Sequence, residues 1–325
     1  MAELFANIII WMNGLFQNYG ITMILFTLLI KLVVLPLDYK SRKSMRRMTD
    51  LQPQLAKLQK KYENDKEKLN QKTTELYRKS GVSPLSGCLP MIVSMVILYI
   101  MWAGMRQVAN EQIIRQAVDM ITENRVPETY EGFLWIKNIW MPDSPFHPVL
   151  IQSSDLSAID ANTWTKVWNA LGEELQNKLM SVSALAEGAS AFNAENLMIA
   201  LGEVPGYAAG VEKSSFSINL LITNLEIYKS YNGFFILPVL SAVTQFVMTA
   251  TQPASGDQSQ QNGTANFMKY FFPLFSLWVC SSFNAMFALY WVVSNIYSWI
   301  QTIVLNKIFD RKAATVSSNE EVSVK

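Results

Sequence analysis

The chain has 325 residues, half of them hydrophobic and 16% charged, with 9 Trp, 17 Phe and 16 Met. This is the composition of a membrane protein, not of soluble domains. The two cysteines, Cys88 and Cys280, lie in or beside apolar segments far from the single histidine, His147, which argues against a zinc site or a disulfide framework. The net charge of +1 conceals a strong regional asymmetry.

In chain order, residues 1–19 carry an apolar run (LFANIIIWMNGLF) whose polar positions Glu3, Asn7, Gly14 and Gln17 fall near one face at helical spacing. That pattern suits an amphipathic helix lying in the membrane interface. Residues 20–37 form a first span of membrane-crossing length. Residues 38–86 hold thirteen Lys or Arg against six Asp or Glu, which places them in the cytoplasm by the positive-inside rule. Within them Met45, Met48, Leu51, Leu55, Leu58 and Tyr62 recur every three or four positions, and Leu69, Leu76 and Tyr77 continue after Glu63-Asn64-Asp65. The spacing predicts an antiparallel helical hairpin, kinked at Pro53 and stopped at Gly81 with Pro84 behind it.

A second span covers 87–106, where Met91, Met95, Met101 and Met105 repeat at helical spacing, a pattern that suits ordinary packing better than a soft client-contacting surface. Residues 107–232 carry fifteen acids against seven basic residues and face outward. There, 133–148 and 216–227 are apolar but interrupted, and Trp164, Trp168, Leu171 and Leu175 follow helical spacing, so a small helical cap on the membrane surface is expected. A third span at 233–251, a short polar loop at 252–266, two closely joined spans at 267–284 and 285–305, and a cytoplasmic tail at 306–325 complete the pattern. The fold class expected is an all-α polytopic membrane protein with a five-helix transmembrane core.

Lys31 stands in the middle of the first span, ITMILFTLLIKLVVLPL. A lysine at a helix centre costs about 2.5–3.5 kcal/mol on insertion scales. Its long stem can snorkel toward the basic cluster at Lys40–Arg47, or it can point into a water-containing cavity among the helices. Polar company is at hand in Thr27 on the same face, in Thr244 and Gln245, and in Tyr290, Ser294, Asn295 and Gln301. No Asp or Glu lies inside the five segments, so Lys31 reads as a site awaiting negative charge from outside. Intramembrane proteolysis is excluded for want of paired Asp, of a Ser with His, and of His clusters, and no phosphate-binding GxxxxGK[ST] loop is present. Neither an enzyme nor a cofactor is expected, and no specific nucleic-acid motif is found.

Five segments in register resemble a known family: GITMILFTLLIKLVVLPL (20–37), LQPQLAKLQKKY (51–62), SPLSGCLPMIVSM (83–95), FFILPVLSAVTQF (234–246) and ALYWVVSNIYSWIQ (288–301). The chain is identified on these as similar to the YidC/Oxa membrane protein insertases, in a short bacterial form without a large outer β-domain. The resemblance implies a hydrophilic groove, closed on the outside, whose basic residue attracts the extracytoplasmic tail of a client. That role falls on Lys31, where the family usually has arginine, with Tyr290, Trp291 and Asn295 lining or bracing the groove. It also implies nascent membrane proteins as clients, release into the lipid bilayer, and action alone or beside the Sec translocon. Arg42, Lys43, Arg46, Arg47, Lys57, Lys60 and Lys61 are candidates for ribosome or client docking, against plain solvation and attraction to anionic lipid. The expected location is a bacterial plasma membrane, with the N-terminus outside and the C-terminus cytoplasmic. From another class, the competing reading is a pore or transporter subunit for an anionic solute; a purely structural assembly factor, for which Lys31 would be dispensable, is a third.

Overall fold

The computed structural model describes the backbone of residues 1–81, 89–220, 223–251 and 258–323. Pro84, Cys88 and residues 252–257 lie outside the described residues, and residues 258–266, expected to be the rest of a polar loop, are helical instead. The chain divides into two compact units, one made of Met1–Phe26, Ile100–Ser241 and Leu277–Trp291, the other of Thr27–Tyr99, Ala242–Ser276 and Val292–Lys325.

Helix α1 (Ala2–Phe16) ends at Gln17 in the left-handed conformation, and α2 (Tyr19–Asp50) follows at once. Ala6, Ile9 and Met12 of α1 are buried while Leu4, Trp11 and Leu15 are exposed, so the helix has one packed face and one apolar face left open. Helix α2 carries the apolar run and the basic cluster as one uninterrupted element, with Pro36 inside it. Pro53 does not kink a continuous helix. The chain breaks at Leu51, and Pro53 sits in the first turn of α3 (Gln52–Lys61), where its missing N–H has no helical partner to lose. Helix α4 (Lys66–Lys79) starts on an Asp65 cap that accepts from the Lys68 N–H, and Gly81 follows its end with φ +62°. Leu51 and Leu55 form a small core with Met48, Leu76 and Tyr77, which fastens α3 to α4.

Helix α5 (Leu89–Glu123) runs well past residue 106 into the stretch read from sequence as outer loop. Val108, Ala109, Ile113, Ile114, Ala117, Val118 and Ile121 are buried at helical spacing, so this extension is held by packing in the first unit. Met101 and Met105 are buried with it, and Met95 is exposed, so the methionines do not form one surface.

The chain continues with α6 (Ser153–Ser157), α7 (Ala161–Ala170), α8 (Glu173–Met180), α9 (Ala194–Glu203) and α10 (Tyr207–Gly210). Trp164 and Val167 are buried on α7, but Leu171 already ends that helix and Gly172 opens the next, so the expected single helix through Leu175 is two. The region is not wholly helical. Strands β1 (Lys213–Leu220) and β2 (Thr223–Tyr228) form an antiparallel hairpin in which Ile218 faces Leu225 and Asn219 faces Asn224. The alternation Phe216-Ser217-Ile218-Asn219-Leu220 carries the period of two that a strand requires. Just before and after this insertion, residues 145–149 and 228–232 pair: Pro145 accepts from Tyr228, Ser230 from Val149, and His147 from Asn232 at 2.8–3.1 Å.

Three further helices complete the chain: α11 (Ile236–Thr251), α12 (Gln258–Ser282) and α13 (Ala285–Ser323). Among the described residues, α2 and the Ala285–Arg311 part of α13 are long and apolar enough to cross a membrane, and α1 and α11 are apolar but shorter.

Candidate functional site

In the second unit α2 and α13 lie side by side and run in the same direction. Lys31 Nζ donates to Ser298 Oγ at 3.0 Å, Gln301 Nε2 to Asp38 Oδ2 at 3.3 Å, and Arg46 Nη2 to Asp310 Oδ1 at 2.6 Å. Residue numbers rise together along both helices, and 31, 38 and 46 fall on one face of α2 two turns apart. Tyr39 packs at a tilt against Phe309, with ring centroids 5.3 Å apart, and Arg46 also overlies that ring, so the far end of this seam is aromatic and basic.

The polar side of α13 comprises Ser294, Asn295, Ser298, Gln301 and Thr302, with Asn295, Gln301 and Thr302 buried. Asn295 Nδ2 donates to Thr244 Oγ1 of α11 at 3.2 Å. Thr27 is fully buried and Gln245 nearly so, and Lys31 and Ser294 are half-buried. Burying amide and hydroxyl groups between apolar helices is tolerated only with partners, and the helices supply them to one another. The arrangement can therefore present one ammonium among neutral hydrogen-bonding groups. Its nearest acid on the same helix, Asp38, is about 10 Å away along the axis at 1.5 Å per residue.

Tyr290 and Trp291 belong to the first unit. Tyr290 is buried, and both rings pack on Phe287, with centroids 6.2 and 5.6 Å away. The basic residues proposed for docking, Arg42 to Arg47 and Lys57 to Lys61, sit on the last turns of α2 and on α3, and Arg46 is drawn into the seam with Asp310. Sequence reasoning missed Ser298, Asp38 and the Arg46–Asp310 pair. Ser298 was within reach of it, since Ser294, Ser298 and Gln301 continue the spacing of Asn295 along one side of the helix.

In the first unit, residues 138–143 fasten the starts of α11 and α13. The buried Asp143 carboxylate accepts from the Leu237 N–H at 2.7 Å and from Trp135 Nε1 at 3.1 Å. The carbonyls of Met141 and Ile139 accept from Ala285 N and Met286 N at 2.9 and 3.1 Å, satisfying donors that a helix start leaves without an internal partner. Asn232, fully buried, ties the segment down: its Nδ2 donates to the carbonyls of Asn138, Met141 and Pro142, and its Oδ1 accepts from Asn138 N. Trp140 lies fully buried there, edge-on to Tyr19 at 4.5 Å.

The family model described as "60Kd inner membrane protein" matches residues 11–202 and 190–312. Curated relatives named "Membrane protein insertase YidC" include one from Chlorobium limicola, 40% identical over 134 residues, which is 41% of this chain and 20% of the relative. One from Clostridium perfringens is 36% identical over 133 residues, 41% of this chain and 49% of the relative. A third, from Anaeromyxobacter dehalogenans, is 35% identical over 136 residues, 42% and 22% of the two chains. The chain thus spans about a fifth of the first and third relatives and about half of the second. With the family model matched over nearly its whole length, the chain belongs to the 60Kd inner membrane protein family, whose members are helical, multi-pass proteins of the bacterial inner membrane.

Proposed function

We propose that the protein is a membrane protein insertase and chaperone that receives client segments in a hydrophilic intramembrane groove and releases them into lipid. Its core is five spans, carried by α2, the first part of α5, α11, α12 and α13, with the N-terminus outside and the C-terminus in the cytoplasm. The observation that carries this reading is Lys31, a cation in an apolar run whose hydrogen bond goes to a neutral hydroxyl, Ser298. The names of the curated relatives support it.

The client's acidic or polar outer tail meets Lys31, and its carboxylate displaces the Ser298 hydroxyl, because an ammonium–carboxylate pair adds the attraction of two full charges to the hydrogen bond. Thr27, Thr244, Gln245, Ser294 and Asn295 supply neutral polar contacts that lower the cost of holding that tail below the outer surface. Tyr290 and Trp291 brace the outer end. The client's apolar segment then leaves sideways into lipid, and its transfer out of water drives the step. The clasp formed by residues 138–143 keeps the outer ends of α11 and α13 together, so the tail is received from the cytoplasmic side. The basic surface of Arg42, Lys43, Arg46, Arg47, Lys57, Lys60 and Lys61 receives ribosomes or nascent chains, alone or with the Sec translocon beside it.

The test is complementation of an insertase-depleted bacterial strain by the wild type, Lys31→Arg and Lys31→Leu, with membrane abundance measured for each. Growth with Arg and failure with Leu at equal abundance is the expected result. Equal growth with all three would remove Lys31 from the mechanism.

A further inference from the structure

A second constellation, wholly within the first unit, has no part in the groove. A cavity of ≈ 300 Å³ is bounded by Trp102, Arg106 and Asn110 of α5, Asp155 of α6, and Asn284 and Phe287 at the α12–α13 junction. The volume is at the small end of ligand pockets. Arg106 lies over the Trp102 ring at 5.4 Å and spends one N–H on the Ala158 carbonyl at 2.7 Å, and among the described residues no carboxylate pairs with it. The Asn110 side chain makes no hydrogen bond among the described residues, and the Asn284 amide uses only its oxygen, accepting from Phe287 N at 3.0 Å. Three sets of N–H donors therefore line the cavity, and among the described residues the Ala158 carbonyl is the one acceptor these side chains have found.

Asp155 lines the same cavity. It accepts from Gln152 N at 2.7 Å and faces His147 Nε2 at 3.3 Å, but no Lys or Arg neutralises it. One cation without a carboxylate partner among the described residues and one carboxylate whose only basic neighbour there is His147 thus share a small chamber, a combination that fits a zwitterion better than a simple anion. Its position in the chain defines the source. Trp102 and Arg106 close the apolar run of 89–106, and an aromatic ring with a basic residue at the end of a span marks the headgroup level. Trp278, also in the first unit, is 64% exposed one turn before the junction, as a lipid-facing ring is.

The geometry points to a binding site for a glycerophospholipid with a phosphoethanolamine headgroup, its phosphate held by Arg106, Asn110 and Asn284, its ammonium directed to Asp155. Arg106 is suited to the phosphate by its planar fork of donors, and the Trp102 face keeps that fork in position. This rests on reading 89–106 as a span but not on the insertion chemistry of Lys31.

The full-length protein, delipidated in detergent, would be titrated with dihexanoyl phosphatidylethanolamine, dihexanoyl phosphatidylglycerol, free phosphoethanolamine and inorganic phosphate, with binding followed calorimetrically. Saturable binding of the phosphatidylethanolamine is expected, at least tenfold tighter than the two free anions and at least fivefold tighter than the phosphatidylglycerol. Arg106→Gln should weaken it at least tenfold. Asn110→Asp, which places a like charge against the phosphate at a half-buried position without hydrogen bonds, should do the same with the fold unchanged by circular dichroism. Equal binding of the two lipids overturns the headgroup assignment, equal binding of free phosphoethanolamine overturns the lipid source, and unaltered binding by Asn110→Asp overturns the site. Lys31→Leu must bind the lipid as the wild type does, so the failure of the insertase reading and the failure of this one are separately visible.

Discussion

The Asp143 carboxylate and the Leu237 N–H, 94 positions apart in the chain, meet at 2.7 Å and make a long-range helix cap for α11. The same carboxylate oxygen takes the Trp135 indole N–H, so removing it leaves two donors unsatisfied. Loss of a cap costs about 1 kcal/mol, and an orphaned buried donor about 1–3 kcal/mol. Asp143→Ala should therefore destabilise the first unit by about 2–4 kcal/mol, and Asp143→Asn, which keeps one acceptor, by less. Thermal unfolding of both variants in detergent checks the ranking, and an Ala variant as stable as the wild type would refute the cap.

Lys31 and Ser298 make a different prediction, because here the hydrogen bond is meant to be given up. Ser298→Ala removes an ammonium–hydroxyl bond of about 1.5–3 kcal/mol, one that the client is meant to replace, and should leave complementation intact. Ser298→Asp supplies a resident carboxylate at the same place and should block clients at normal abundance. If Ser298→Asp complements fully, the ammonium is not the group that clients need.

The Arg46–Asp310 pair is short, but its side chains are 35% and 68% exposed. Exposed pairs contribute about 0–1 kcal/mol and weaken with salt. A double-mutant cycle with Arg46→Ala and Asp310→Ala should give a coupling energy below about 1 kcal/mol, smaller still in ~0.5 M salt, where the Debye length falls to about 4 Å. A coupling of several kcal/mol would mean that this end of α2 and α13 is far drier than its exposure indicates.

His147, in the segment between α5 and α6, provides a pH dependence. Burial alone would lower its pKa, but the hydrogen bond and charge of Asp155, with the Pro148 carbonyl, outweigh burial and raise it. A folded-state value above the unfolded one means that the protonated histidine stabilises the folded outer segment. That contribution is complete below about pH 6.5, the unfolded value, and is lost as pH rises through the raised folded value. Unfolding temperature measured from pH 5 to 8 should therefore fall more for the wild type than for His147→Gln. Parallel curves would show that the pair is not coupled to folding.

How much of this was legible beforehand differs by element. The long helices were written in the apolar runs, and the hairpin of α3 and α4 in the spacing of Leu51, Leu55 and Leu76. The extension of α5 to Glu123 was hidden because its outer face is polar, so charge counting assigned it to a loop while Ile113, Ile114, Ala117 and Val118 kept the helical period. The β-hairpin was overlooked because its alternation is short and sits among helices. Half of the clasp had no signal: beside the Asp143 and Asn232 side chains, Ile139 and Met141 act through carbonyls, and a carbonyl has no letter in the sequence. Type and spacing singled out Lys31, Thr244 and Asn295 as polar residues on apolar helices, and the structure gives Lys31 a bond to Ser298 and Asn295 one to Thr244. Which side chains meet across helices, Ser298 above all, depended on a register between α2 and α13 that one strand of sequence does not encode.

The paired stretches 145–149 and 228–232 have a consequence for modularity. They bring the two ends of the insertion side by side, so the helices and hairpin between them form a lobe closed at its base by a short paired stem. Loop-closure entropy grows only slowly with length, by about 0.6 kcal/mol per doubling, so such a stem tolerates lobes of very different sizes with little effect on the elements it leaves. The outer lobe is thus free to lengthen, shorten or be exchanged while Asp143, Asn232 and the helix starts they fasten stay in place. The chamber beside Arg106 is the exception, since α6 lends it Asp155, and a lobe exchanged there would change the headgroup it prefers.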